Sequence, residues 1–172
     1  MRFGAEIKSF TGFKIGNGRC MSIVHEGVAP DSLEIEGVKL GEGKVAGSDV
    51  VMCKPNDRFK TDHVVHFPIV DSTASMKVFD GELTVGTPAY LVSMNGNEME
   101  LVCGVLVEMT AGVYTIKLNR SLKTDNGQSG SPWFVMQGTS PQVFAVHSRL
   151  MTGKSAECQA LAVALPPKGS LN

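Results

Sequence analysis

The chain has no uninterrupted apolar run near the ~20 residues that a membrane-spanning helix needs. Its opening residues, Met1-Arg2-Phe3-Gly4-Ala5-Glu6, hold no apolar stretch of the signal-peptide kind. It has no excess of either charge: Lys and Arg number 16 and Asp and Glu 17, for a formal net charge of −1. A dedicated nucleic-acid binder carries a global basic surplus, and that is missing. Cysteine is sparse and scattered, at Cys20, Cys53, Cys103 and Cys158. With no CxxC and no Cys/His cluster, a metal site is not expected. Single, widely spaced cysteines read as reduced and mostly buried thiols of a reducing compartment. Helical periodicity is also absent: no window keeps apolar residues at i, i+3, i+4 and i+7 for three turns without a Gly or Pro, so long helices are not expected. Disorder is excluded too, because 42% of the 172 residues are hydrophobic and the net charge is low. A chain this long buries roughly 70% of its unfolded surface as one compact domain or two small lobes sharing a core, without a metal or disulfide staple.

What the chain has in quantity is short apolar runs separated by turns. Nineteen glycines and eight prolines are spread along it as punctuation. Between them, strands are expected over 10–15, 19–24, 32–35, 50–54, 63–70, 89–94, 99–107, 112–118, 132–136, 142–147 and 159–165. Turn signals part them: Gly16-Asn17-Gly18, Glu42-Gly43, Lys54-Pro55-Asn56-Asp57, Asp80-Gly81, Asn95-Gly96-Asn97 and Ala111-Gly112. Many short strands with regular turns make an all-β sandwich or barrel. The stretch 71–85 is the least strand-like and reads as the connection between two β lobes. The tail Pro166-Pro167-Lys168-Gly169-Ser170-Leu171-Asn172 reads as a linker or a frayed end.

One segment stands out chemically: Thr124-Asp125-Asn126-Gly127-Gln128-Ser129-Gly130-Ser131-Pro132-Trp133. A nucleophilic serine needs an exposed hydroxyl at a tight bend with free backbone N–H groups beside it. Gly127 and Gly130 permit such a bend and leave room for a substrate carbonyl. The N–H groups of Gly127 and Ser129 are then placed to form an oxyanion hole, worth about 3–4 kcal/mol per donor. Read alone, the same segment is a Gly/Ser-rich hairpin loop with no chemistry. A serine nucleophile also needs a base. His25 closes a strand–turn–strand segment and stands at a strand–loop junction, where functional side chains belong. His63 and His66 lie three apart in an expected strand, point to opposite faces and read as surface or packing residues. For the orienting carboxylate, Asp49 opens the apolar run Val50-Val51-Met52-Cys53. Asp31, Asp57, Asp62 and Asp71 stand in plainer turn contexts.

The order His25, Asp49, Ser129 is that of the triad of chymotrypsin-fold proteases. Ser22-Ile23-Val24-His25 resembles the family's Thr-Ala-Ala-His, and Gly127-Gln128-Ser129-Gly130-Ser131-Pro132 resembles its Gly-Asp-Ser-Gly-Ser-Pro. Two departures are Ser22-Ile23-Val24 in place of Thr-Ala-Ala and Gln128 in place of Asp; neither removes a catalytic group. The small size and missing disulfide framework resemble the viral members, the polyprotein-processing serine proteases of arteriviruses, sobemoviruses and astroviruses. In those enzymes a histidine after the nucleophile lines the primary specificity pocket, and His147 in Val143-Phe144-Ala145-Val146-His147-Ser148 matches it, with Ala145 in place of the usual glycine. Thr124, five residues before Ser129, matches the pocket's usual threonine, and 161–165 resembles the strand that closes the pocket.

The resemblance implies an all-β, chymotrypsin-like double β-barrel with the site in the cleft between barrels. Residues 1–75 would form the barrel carrying His25 and Asp49; residues 76–172 would form the barrel carrying Ser129, the specificity pocket and a short tail. It implies a serine endopeptidase that cuts a viral polyprotein after Glu or Gln in the cytoplasm of an infected cell. Thr124 and His147 would donate to the substrate side chain, and Ser148 and Arg149 would pair with its backbone as an added strand. No metal or cofactor is implied. A second reading on the same fold is an RNA-binding or scaffold module, drawing on Lys8, Lys14, Arg19, Lys117 and Arg120. A third is a degradative serine protease of host origin.

Overall fold

A computed structural model describes residues 11–15, 19–24, 34–35, 38–39, 51–53, 63–68, 75–95, 98–110, 112–119, 129–151 and 159–165. All regular structure among them is β. Near the N-terminus, β1 (Phe13–Ile15), β2 (Arg19–Val24), β5 (Val51–Cys53) and β6 (His63–Pro68) make a four-stranded antiparallel sheet in the order β1-β2-β6-β5. The short strands β3 (Glu34–Ile35) and β4 (Val38–Lys39) pair as a separate ribbon. β1 and β2 are antiparallel partners, with Ile15 opposite Arg19; the Gly16-Asn17-Gly18 signal lies outside the described residues.

The rest of the chain builds a closed barrel. Its strands are β8 (Pro88–Asn95), β9 (Glu98–Thr110), β10 (Val113–Leu118), β11 (Pro132–Gln137), β12 (Ser140–Met151) and β13 (Gln159–Ala164). Their order is β11-β8-β9-β10-β13-β12, and β12 pairs back onto β11 to close the ring. Hairpin pairs Asn95↔Glu98, Thr110↔Val113 and Gln137↔Ser140 fix the register. Closure removes the open sheet edges that invite aggregation. One difference from expectation lies in the 71–85 connection. It contributes β7 (Lys77–Val78), which pairs parallel to β12, and Met76 bridges to Ile15. Two residues are too few to show alternation, so the sequence pattern there carries no strand signal.

Gly104, inside the longest strand, lets β9 and β10 approach closely. A Cβ there would sit 2.7 Å from Ile116 Cγ2 and 2.8 Å from the Lys117 carbonyl oxygen. Glycine within a strand marks such a close backbone approach.

Two buried clusters follow from strand alternation. The first fills the barrel: Leu91, Val102, Leu106, Ile116, Trp133, Val135 and Phe144 pack against small residues, Ala145, Ala160 and Ala162. The second contains Phe13, Ile15, Met21 and Ile23 of β1 and β2 with Val143, Val146 and Val163 of β12 and β13. β12 and β13 are therefore buried on both faces, which is why they read as continuous apolar runs. The second cluster seats the N-terminal sheet against the barrel wall.

Candidate active site

The corner Ser129-Gly130 enters β11 and is held from two sides. On the barrel side, the Gly130 N–H donates to the His147 carbonyl at 2.9 Å, and the His147 N–H donates to the Ser131 carbonyl at 2.8 Å. On the other side, the Thr11 N–H donates to the Ser129 carbonyl at 2.9 Å. The Thr11 carbonyl in turn accepts from the buried Ser22 hydroxyl at 2.7 Å. Gly130 has φ = +92°, in the region that favours glycine. A Cβ there would run into the Thr11 carbonyl oxygen and Ser22 Oγ. The glycine after the candidate nucleophile thus lets strand β2 reach the corner.

Ser129 is half-buried, and its hydroxyl donates to the Ser148 carbonyl at 3.1 Å. The register of β12 against β13 slips between His147 and Arg149, so Ser148 is the extra residue of a bulge. Bulges re-aim backbone groups and are common beside active sites. Here the carbonyl of the bulged residue is turned to the Ser129 hydroxyl.

His147 is fully buried, and its Nδ1 lies 3.1 Å from Trp133 Nε1. An indole N–H only donates, so Nδ1 accepts and bears no proton. The ring's proton is therefore on Nε2, and the imidazole is set as a donor at that nitrogen. Ser148 is buried and Arg149 exposed. Ser131 is buried, and its Oγ has no hydrogen-bond partner.

Among the residues singled out from sequence, Ser129, His147, Ser148 and Arg149 come together around the start of β11 and the second half of β12. His25, Asp49, Thr124 and Gly127 lie outside the described residues. His25 directly follows β2 and Asp49 precedes β5 by two residues. His63 and His66 fall on β6. Sequence reasoning missed Thr11 and Ser22, which anchor the corner, and Trp133, which fixes the histidine tautomer. Trp133 was visible as the chain's one tryptophan, four residues after Ser129.

The described cysteines do not supply a nucleophile at this corner. Cys20 is buried in β2, and burial pushes its thiol up to about 11, away from the reactive thiolate. Cys103 is on β9. No group of His, Cys, Asp or Glu suited to a metal ion occurs among the described residues. A cavity of about 700 Å³ is lined by Phe79, Tyr114, Phe144 and Leu165, and none of the candidate site residues lines it.

No family model and no curated protein sequence matches the chain. Solved structures do. The NS6 protease from murine norovirus 1 superposes with a TM-score of 0.63 at 18% identity, covering 100% of this chain and 92% of that one. An inactive cysteine-to-alanine mutant of the murine norovirus NS6 protease, extended at its C-terminus, gives 0.60 at 17% identity and 96% coverage of both chains. The active form of the Rv3671c protease from M. tuberculosis gives 0.57 at 17% identity, covering 93% of this chain and 70% of that one. That protease has also been solved with a serine replaced by alanine. The chain has the chymotrypsin-like protease fold.

Proposed function

We propose that the chain is a serine endopeptidase with Ser129 as nucleophile and His25 as general base. The observation that carries this reading is the pair of tethers on the Ser129 corner. Thr11 and Ser22 bind it to the strand that runs into His25 three residues later, while β12 holds it from the barrel side. Norovirus NS6 was inactivated at a cysteine, but position 129 here is a serine and no cysteine stands between 104 and 157.

In the resting site the Ser129 proton rests on the Ser148 carbonyl. Rotation about Cα–Cβ turns the hydroxyl to the base, and such contacts tighten only when substrate binds. Ser129 Oγ then attacks a peptide carbonyl as His25 takes its proton. His25 returns the proton to the leaving amine, and water completes hydrolysis by the same route. The N–H groups of Gly127 and Ser129 receive the oxyanion. Asp49 is the carboxylate that the sequence order singles out to orient His25.

His147, held as an Nε2–H donor by Trp133, suits a substrate side chain that ends in an acceptor, with Thr124 as a second donor. This favours cleavage after Glu or Gln, since a buried donor left unpaired costs about 1–3 kcal/mol. Ser148 and Arg149 would pair with the substrate backbone, in a viral polyprotein processed in the host cytoplasm. The RNA-binding reading gains no support from the solved structures that resemble the chain.

The deciding experiment is digestion of a peptide library by the wild type and by Ser129→Ala. Cleavage after Glu or Gln should fall by about 10³-fold or more in the mutant. Undiminished cleavage by Ser129→Ala would reject the assignment.

A further inference from the structure

The stretch that joins β7 to β8 begins Phe79-Asp80-Gly81-Glu82-Leu83. Phe79 and Leu83 pack against the barrel core, while Asp80, Gly81 and Glu82 are exposed. Backbone bonds pin the stretch on both sides: the Phe79 N–H donates to the Val143 carbonyl at 2.8 Å, and the Gly86 N–H to the Leu106 carbonyl at 2.7 Å. The Phe79 ring folds back against Gly81, where a Cβ would come within 2.7 Å of the ring's Cζ. The turn therefore has a set shape, with acidic residues outside an apolar footing.

Two hollows flank it. The larger is the cavity of about 700 Å³, walled by Tyr114 and Phe144, whose rings meet edge to face with centroids 5.3 Å apart. That volume falls within the roughly 300–1,000 Å³ of ligand clefts. The smaller, of about 260 Å³, is lined by Tyr90, Val135 and Met136. Phe79, Glu82 and Leu83 line both. Among the described residues that line the two hollows, Asp80 and Glu82 carry charge, and no Lys, Arg or His occurs.

We infer that this surface docks a protein segment in which a lysine or arginine stands between apolar side chains. An anionic occupant would set its charge against Glu82. A wholly apolar one would cover the carboxylate and cost its desolvation without return. A cation meets Glu82 in a charge-assisted hydrogen bond, and aromatic walls attract it as well. The apolar neighbours follow from the layout, one hollow on each side of one shared carboxylate, which a small amine would fill only in part. Met109 and Met136, 41% and 43% exposed, add adaptable apolar contact in the larger and the smaller hollow. None of Ser129, His147, Ser148 and Arg149 lines either hollow, so the inference stands apart from the protease reading.

The test is titration of the full chain with capped, serine-ended peptides in which one lysine stands between leucine and phenylalanine. Matched peptides carry aspartate or norleucine at the lysine position; aspartate keeps the control clear of the Glu/Gln cleavage proposed above. NMR of labelled methionine methyls reports where binding occurs, with signals assigned by their loss in Met109→Leu and Met136→Leu. The lysine peptide should bind about tenfold more tightly than the aspartate peptide and shift both signals. Met99, 72% exposed and about 30 Å away along β9, should not move. Glu82→Gln should weaken the lysine peptide about two- to fivefold, and Glu82→Lys should turn the preference towards aspartate. Glu82 is exposed, so both variants keep the fold. Added salt should weaken the lysine peptide and spare the norleucine one. Equal binding of the lysine and aspartate peptides, shifts that include Met99, an unchanged preference in Glu82→Lys, or no binding at about 1 mM peptide each overturns the inference.

Discussion

At the scale of single residues, the corner is built from groups whose chemistry the sequence shows and whose partners it hides. Ser129 at a glycine-flanked bend and His147 on an apolar strand are legible as positions, because a tight bend and a buried strand each demand a recognisable local setting. The Trp133 indole on His147 Nδ1 is not legible. It depends on β11 and β12 pairing with a register shift between Trp133 and Phe134, which brings residues fourteen apart in sequence into contact. The consequence is testable. Trp133→Phe keeps most of the buried volume but removes the donor. It should cost about 1–3 kcal/mol, read by denaturant unfolding. Nitrogen shifts of the His147 ring should move from a single Nε2–H tautomer towards a mixture. An unchanged tautomer in Trp133→Phe would show that the indole is not what holds the ring.

At the scale of elements, strand positions were legible because alternation and turn residues are local. The sequence reading expected strands over 19–24, 63–70, 112–118 and 159–165, and β2, β6, β10 and β13 lie within or on those spans. β4 and β7 escaped it, being two residues each. Register and neighbour choice were not legible, since they are settled by packing across strands distant in sequence. Gly104 shows the same limit. Its glycine reads from sequence as a mild weakness in a strand, whereas the barrel uses it to bring Ile116 and the Lys117 backbone against β9. Gly104→Ala should therefore destabilise by about 1–3 kcal/mol through overpacking, although alanine is the better strand former. Equilibrium unfolding in urea checks this, with a lower midpoint and an unchanged slope expected.

At the scale of the whole molecule, the candidate corner at Ser129 lies where the N-terminal sheet meets the barrel. The buried cluster of β1, β2, β12 and β13 presses the two together through apolar contact, which has no directionality. Direction comes from two hydrogen bonds in series, Ser22 hydroxyl to Thr11 carbonyl and Thr11 N–H to Ser129 carbonyl. The all-β barrel was legible from the short strands and turns, and the chymotrypsin-like fold from the resemblance of its motifs; this tether was not, because nothing in the sequence marks Ser22 as more than a variant of a threonine. Ser22→Ala removes the first of the two bonds and leaves the Thr11 carbonyl short of a buried donor, at a cost of about 1–2 kcal/mol. Proteolysis should suffer more than stability does, because a nucleophile displaced by about 1 Å from its base loses on the order of 10²-fold in rate. Ser22→Thr restores the hydroxyl and should recover both. The measurement is kcat against unfolding free energy for the three proteins. If kcat in Ser22→Ala falls no further than the folded fraction does, the tether supports the fold alone and does not aim the nucleophile.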